Sequence, residues 1–209
     1  MPQKPDITRA ESAPGEKRRK AMIEAAYSLF TEKGYESVSV DDIIRISGGS
    51  KASFYKFFST KEGILQAVIE EFAQRFLQNM PVRGTPKKEP REALKVLGLH
   101  IASLALSENA INQQRLAAGN AKTRPDLGMM WFNHGPKATM DRFAEYLEAE
   151  TEAGRLKVKN PSRAAMLFLG MLIFKDNMTM LVGAPAPSKR ELTENVNDAV
   201  EVFLAAYGG

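Results

Sequence analysis

The residues that follow Ser50 carry small, hydroxylated or basic side chains where a helix built only for a core would begin with apolar ones. They are Lys51, Ala52 and Ser53, then Tyr55 and Lys56 one turn later. A lysine at this place can donate to guanine O6 and N7, and an alanine can touch a thymine methyl group. The hydroxyl groups and the second lysine are donors that suit phosphate oxygens. The pattern therefore indicates nucleic-acid recognition.

Two short helices with a glycine turn between them are predicted to position these side chains. Ser39 is the predicted N-cap of the first helix, with Asp42 three residues on as its capping partner. The sequence Ser47-Gly48-Gly49-Ser50 ends that helix, and Ser50 caps a second helix over residues 51–57. The predicted buried residues are Val40, Ile43, Ile44 and Ile46 in the first helix and Phe54, Phe57 and Phe58 in or just after the second. This is the pattern of a helix-turn-helix, and an ordinary helical hairpin is the alternative.

The region around this hairpin resembles the N-terminal DNA-binding domain of TetR-family transcriptional regulators over residues 16–65. The resemblance rests on Ile43, Gly48, Ser50-Lys51, Phe54-Tyr55, Phe57-Phe58 and Thr60-Lys61-Glu62. It implies a three-helix module whose fourth helix leads into a ligand-binding domain. Gly49 stands where the family usually has valine and Ile44 where it usually has alanine, so we expect a looser turn and slightly different packing of the first helix.

Basic residues are clustered, although the net charge of the 209-residue chain is only +4. Lys17 to Lys20 form one cluster and the hairpin region another, and such clusters can meet phosphates while acidic residues face elsewhere. A solvated surface is the alternative for each cluster. The predicted contacts with a double-stranded DNA operator are Lys17, Arg18, Ser39, Ser50, Lys51, Ala52, Ser53, Tyr55, Lys56 and Lys61.

Composition narrows the class of protein further. The chain is 44% hydrophobic and 26% charged, and it has no cysteine, which excludes disulfides and thiolate metal sites. The longest apolar run, residues 164–174, is too short to span a bilayer, and the first residues lack the apolar stretch of a secretion signal. We therefore expect a cytoplasmic protein with no membrane partner.

Helical periodicity recurs from residue 16 to residue 207, and no useful strand-like alternation is present. We predict an all-α chain of about nine helices. Residues 1–15 are predicted to be a disordered arm, residues 16–60 a helix-turn-helix domain, and residues 61–209 a helical regulatory and dimerisation domain. The residues from Ala153 to Val158 and from Asn160 to Ala165 resemble the AefR-like branch of TetR-type regulatory domains, although a glycine C-cap, an extended link and a proline at the next helix start would give the same pattern.

The resemblance implies a ligand-responsive repressor that binds a palindromic operator as a homodimer. The effector is expected to be a small apolar or amphipathic molecule, because soft and aromatic side chains are numerous on the middle helices. Each of these side chains could equally belong to a core. The candidate ligand-binding residues are Phe72, Phe76, His100, Ile101, Leu104, Arg115, Trp131, Phe132, His134, Phe143, Phe168 and Met171, with Gln113 as a further polar candidate.

The last two helices carry apolar stripes, and in TetR-like proteins these helices form a four-helix interface with the symmetry-related subunit. Core packing is the alternative interpretation of the same stripes. The predicted interface residues are Leu167, Met171, Met178, Val196, Val200, Phe203 and Tyr207.

An enzyme was considered as an alternative class. The two histidines, His100 and His134, lie 34 residues apart, and neither has an acidic or histidine partner at helical spacing on the same face. Nucleophile elbows, phosphate-binding loops and dinucleotide-binding glycine motifs are absent from the sequence. We therefore expect no enzymatic activity, no cofactor and no metal. A scaffolding protein is a third class, but it gives no reason for the polar start of the second helix.

Overall fold

A computed structural model describes the backbone of residues 13–77 and 89–209, and the side chains of residues 14–71 and 89–209. Its helices are α1 (Ala13–Lys33), α2 (Val40–Ser47), α3 (Lys51–Phe58), α4 (Lys61–Leu77), α5 (Pro90–Ala105), α6 (Glu108–Asn120), α7 (Pro125–Phe132), α8 (Ala138–Glu152), α9 (Pro161–Leu181) and α10 (Lys189–Tyr207). A π-helical turn, Asn133–Lys137, joins α7 to α8. Because that segment is continuous, the described residues contain nine helical segments. The predicted all-α class is confirmed.

The chain divides into two compact units, Met1–Val68 and Ile69–Gly209. The boundary falls within α4, eight residues later than the predicted start of the second domain at residue 61. The difference arises because Ile64, Leu65 and Val68 are buried in α4 at helical spacing. Most of the predicted disordered arm lies outside the described residues. Pro14 and Gly15 do not belong to an arm, since they lie in the first turn of α1, where proline is tolerated.

The first unit has α1, α2, α3 and the start of α4 around one small core. Met22, Ile43 and Phe54 are fully buried in it, one from each of the first three helices. Aromatic contacts extend this core, with the rings of Phe30 and Tyr35 at 5.2 Å and those of Phe54 and Phe58 at 5.4 Å. Ile46 was predicted to be buried, but it is 57% exposed because it lies on the outer side of α2.

The second unit has a larger core, in which α9 packs against α5, α6, α8 and α10. Aromatic contacts cross it: Phe143 stacks on Phe168 with ring centres 5.1 Å apart, and Phe168 meets Phe203 edge to face, also at 5.1 Å. The link between α8 and α9 is held by Arg155, whose Nε and Nη2 donate to both carboxylate oxygens of the buried Glu150 at 2.7 and 2.8 Å. Helix α6 begins at Glu108, because the Ser107 hydroxyl caps it by accepting from the Ala110 amide.

Candidate functional sites

The turn between α2 and α3 is set by local hydrogen bonds. The Ser39 hydroxyl accepts from the Asp42 amide at 3.1 Å and the Asp42 carboxylate accepts from the Ser39 amide at 3.0 Å, which is the predicted capping box. Gly48 ends α2 in the left-handed region at φ 72°, and its amide donates to the Ile44 carbonyl. Ser50 caps α3 by accepting from the Ser53 amide at 3.2 Å. The start of α3 is therefore held by capping bonds on either side of the turn.

The capping carboxylate has an unusual acidity. Hydrogen bonds from the Ser39 hydroxyl and amide, together with the Arg45 guanidinium 2.6 Å away, lower the pKa of Asp42 to about 2. These donors favour the charged form of the carboxylate. The Ser39 hydroxyl accepts one bond and donates another, and the Ser50 hydroxyl caps α3, so both serines are used in positioning the hairpin.

Gly49 is held close to α1. A Cβ atom at Gly49 would lie 2.1 Å from Cε of Met22, a buried residue of α1. The methionine therefore occupies the space that a valine side chain would take at this position. The space that the Gly49 departure leaves is filled from α1.

Helix α3 has one buried side and one exposed side. Phe54 and Phe58 face the core, whereas the predicted contacts Lys51, Ala52, Tyr55 and Lys56 are exposed. Ser53 is half-buried. The exposed side is polar and partly cationic, as a helix that enters the DNA major groove requires. The structure brings together on α3 the five contact residues predicted there.

The three predicted cationic contacts outside α3 differ in their surroundings. Lys61 Nζ lies 4.3 Å from the centre of the Tyr35 ring and donates to the Glu36 carbonyl at 3.3 Å, so it already binds the link before α2. Lys17 and Arg18 are exposed at the start of α1. Asp41 is a further residue at this site that was not predicted. Its carboxylate accepts from Lys51 at 2.9 Å and raises the pKa of that lysine. No periodic pattern identifies such a pairing between two helices.

The second unit contains a cavity of about 370 Å³. Among the predicted ligand residues, Ile101, Leu104, Trp131 and the additional candidate Gln113 line it. The remaining wall residues were not predicted and are Ile69, Ala105, Ser107, Asn109, Ala110, Gly135, Pro136, Thr139, Met140, Leu169 and Ile173. The i, i+4 pair of amides, Asn109 and Gln113 on α6, was the sequence signal that could have identified the polar part of the wall.

Other predicted ligand residues lie elsewhere. Phe143 and Phe168 are fully buried in the core stack and do not line the cavity. Arg115 donates to the carbonyls of Met180 and Leu181, so it ties α6 to the end of α9. The side chains of Phe72 and Phe76 lie outside the described residues.

The remaining predicted ligand residues are also absent from the described wall. Phe132 and Met171 are exposed. His134 Nε2 is 4.0 Å from Glu70 Oε1, and His100 is half-buried. Helical periodicity could not distinguish these residues from those that line the cavity. A helix with apolar residues on several sides has more than one face that could form the wall.

The predicted dimer residues divide into two groups. Val196, Val200 and Phe203 are at most 1% exposed, so they belong to the core of the subunit and are wrong as interface residues. Tyr207 is half-buried, with its ring 4.7 Å from that of Phe203. The exposed apolar residues of α9 are Met166, Leu167, Met171, Phe174 and Met178, followed by its C-cap Val182, and Val202 is exposed on α10. Three of the predicted residues, Leu167, Met171 and Met178, are in this exposed set.

An exposed polar helix behind a glycine turn, joined in sequence to a helical unit with an apolar cavity, defines the class of helix-turn-helix regulators. The family of bacterial regulatory proteins described as the tetR family matches residues 22–68, and the C-terminal domain of AefR-like transcriptional repressors matches residues 92–209. The chain therefore belongs to the TetR family of transcriptional regulators, with a regulatory half of the AefR-like type. Both predicted resemblances are confirmed.

Solved structures and curated relatives support the same family assignment. A TetR-family transcriptional regulator from Mesorhizobium loti MAFF303099 is 27% identical with a TM-score of 0.84, over 95% of this chain and 100% of that one. The flavonoid-responsive regulator FrrA is 25% identical with a TM-score of 0.78, over 92% of this chain and 98% of that one.

Curated relatives match over shorter stretches. The transcriptional repressor ComR of Escherichia coli (strain K12) is 34% identical over 58 residues, and the transcriptional regulator AcuR of Cereibacter sphaeroides is 38% identical over 77 residues. These matches cover 28% and 36% of this chain, and 28% and 35% of those relatives' own lengths.

Proposed function

We propose that this protein represses transcription by binding a double-stranded DNA operator through the exposed side of α3. The observation that carries the proposal is the arrangement of α3 itself: Lys51, Ala52, Tyr55 and Lys56 are exposed while Phe54 and Phe58 anchor the opposite side. Lys51 is assigned to base recognition, because a lysine in the first turn can reach guanine acceptors. Tyr55 and Lys56 are assigned to phosphates, with Lys17 and Arg18 as additional phosphate contacts.

Fluorescence anisotropy with labelled duplexes, selected from a random pool by the wild-type protein, tests this assignment. Lys51→Ala should weaken binding to the selected site by about 1–3 kcal/mol and relax the preference at one base pair. Lys56→Ala should weaken binding to all duplexes alike and make the dependence of affinity on salt shallower. Absence of binding to any duplex at low salt would refute the proposal.

The protein acts as a homodimer on a palindromic site in this proposal. A single helix-turn-helix offers little contact area, and two-fold sites match two-fold proteins. The exposed apolar side of α9, with Phe174 67% exposed and Met178 43% exposed, supports an interface there, because large contiguous apolar surfaces are costly in water. Val202 of α10 adds to it.

The effector is a small, largely apolar molecule that binds the cavity of the second unit and changes operator affinity. The cavity volume of about 370 Å³ lies within the range of small-molecule sites. The name of the flavonoid-responsive regulator FrrA supports a response to a small organic molecule in a protein of this fold. Such a ligand acts only if it binds one of two conformations better than the other.

The working location is the cytoplasm, and the role is regulatory and not enzymatic. Helix α9 is long and apolar enough to cross a membrane by length and composition, with one third of its most apolar window buried. Ala164, Phe168 and Leu172 of α9 are buried against other helices of the unit. We assign its exposed side to the dimer and not to lipid.

A further inference from the structure

The wall of the cavity is uncharged. Each described residue that lines it is apolar or carries a neutral amide, hydroxyl or indole N–H group. An ion that entered this cavity would lose its hydration without gaining a counter-charge from these residues, which is strongly unfavourable. A ligand that fits the cavity is therefore neutral in the bound state.

The hydroxyl groups of the wall are already engaged. The Ser107 hydroxyl donates to the Leu104 carbonyl at 2.7 Å and accepts from the Ala110 amide at 3.2 Å. The Thr139 hydroxyl donates to the Gly135 carbonyl in the π-helical turn at 3.0 Å. These two side chains stabilise the helices that form the wall. Their hydroxyl protons are already donated to backbone carbonyls, so they are poorly suited to orient a ligand.

The amide of Asn109 differs from both. Its Oδ1 atom is buried and has no hydrogen-bond partner within the described part of the chain. Buried polar atoms are nearly always satisfied, because an unmade hydrogen bond costs the desolvation of the group. An amide oxygen is an acceptor only, so the partner that satisfies it must be a donor.

We propose that the effector is an uncharged, largely apolar molecule with a hydroxyl group that donates a hydrogen bond to Oδ1 of Asn109. This inference rests on the proposed regulatory role of the cavity and gives it a chemical class. The apolar body of the ligand lies against Ile101, Leu169 and Ile173, and the hydroxyl group sets its orientation. Carboxylates are rejected because the wall offers no cation.

The chain contains one tryptophan, Trp131, and it lines the cavity. Its fluorescence therefore reports directly on occupancy of the cavity. Three aliphatic probes of similar size isolate the hydrogen bond: 1-octanol donates, 1-methoxyheptane only accepts, and octanoate is charged at neutral pH. None of them absorbs where tryptophan is excited.

The test is a fluorescence titration of full-length wild-type protein, Asn109→Leu and Asn112→Leu with each probe. Asn112 is the matched control, because it is on the same helix but does not line this cavity. Wild type and Asn112→Leu should bind 1-octanol about fivefold more tightly than 1-methoxyheptane, as expected for one net hydrogen bond. Asn109→Leu should lose this preference while it still binds 1-methoxyheptane, and octanoate should bind most weakly to all three proteins.

Equal binding of 1-octanol and 1-methoxyheptane by the wild-type protein would overturn the proposal, as would a preference that survives Asn109→Leu. Preferred binding of octanoate, or no fluorescence response to any probe, would also overturn it. Anisotropy of labelled operator duplex, measured on the same wild-type protein before any probe is added, separates this failure from that of the proposed function. DNA binding by the free protein without a response to the probes would refute only the ligand class, whereas absence of DNA binding by the free protein would refute the regulator itself.

Discussion

The ammonium group of Lys51 lies 2.9 Å from Oδ1 of Asp41, so the first residue of α3 is bound to the start of α2. Both side chains are about two-thirds exposed, at 66% and 65%. The lysine proposed to contact a base is therefore held by a carboxylate in the free protein. It must exchange this partner for DNA, and the carboxylate would then face the phosphates without its counter-charge.

Asp41→Asn should consequently strengthen DNA binding. Removing the competing ion pair and one repulsive charge should raise affinity about two- to fivefold at low salt, since exposed pairs contribute about 0.2–1 kcal/mol. Anisotropy titrations across salt concentrations measure this. The gain should shrink in the double variant with Lys51→Ala, where only the loss of the repulsive charge remains. The control Glu32→Gln, which neutralises an exposed residue of α1, should change affinity less. Weaker binding by Asp41→Asn would show that the pair instead positions Lys51 for DNA.

The effects of substitutions at Gly49 and Met22 on stability should be coupled. Gly49→Ala places a methyl group 2.1 Å from Cε of Met22, so we expect a loss of about 1–3 kcal/mol in the free energy of unfolding of the first unit. Met22→Ala would create a cavity by itself, but combined with Gly49→Ala it should cost less than the sum of the single changes. Urea denaturation followed by circular dichroism measures the coupling. Gly119→Ala, at a helical position with open space, is the control.

The capping box should make the stability of the fold depend on pH in acidic solution. The folded pKa of Asp42 is about 2, below the ordinary value of 3.8 for this side chain, so the carboxylate stabilises the fold fully above pH 3.8 and loses this effect as the pH falls toward 2. Asp42→Asn should be less stable than wild type at neutral pH and should lose less stability between pH 4 and 2. Urea midpoints across this range measure the difference. Parallel curves for the two proteins would contradict the assignment.

Phe174→Glu should give folded monomers. Its side chain is 67% exposed, so a charge there costs little in the subunit but is unfavourable in an apolar interface. Sedimentation equilibrium should show the change, while circular dichroism remains that of the wild-type protein. Val200→Glu is the contrasting variant, because Val200 is fully buried and a charge there should unfold the helical unit. A wild-type protein that is monomeric at micromolar concentration would refute the interface.

The helix boundaries around the hairpin were determined by the sequence itself. Ser39 with Asp42, Gly48 and Ser50 act on atoms within a few residues of their own position, so residue type and spacing were enough to predict them. The burial of the aromatic residues Phe54 and Phe58 of α3 was predictable from their helical spacing. Local interactions of this kind need no information about the rest of the chain.

Only the tertiary structure decided which apolar surface faces the core and which is exposed. Helix α9 has apolar residues on several sides, so periodicity could not separate buried Phe168 from exposed Phe174. For the same reason the apolar pattern of α10 predicts an interface at Val200 and Phe203, although both pack inside the subunit. Packing between helices also decides that Oδ1 of Asn109 is buried without a partner and that Lys51 pairs with Asp41. The burial of an atom and the distance between two side chains are known only once the chain has folded, because the order of residues does not specify them.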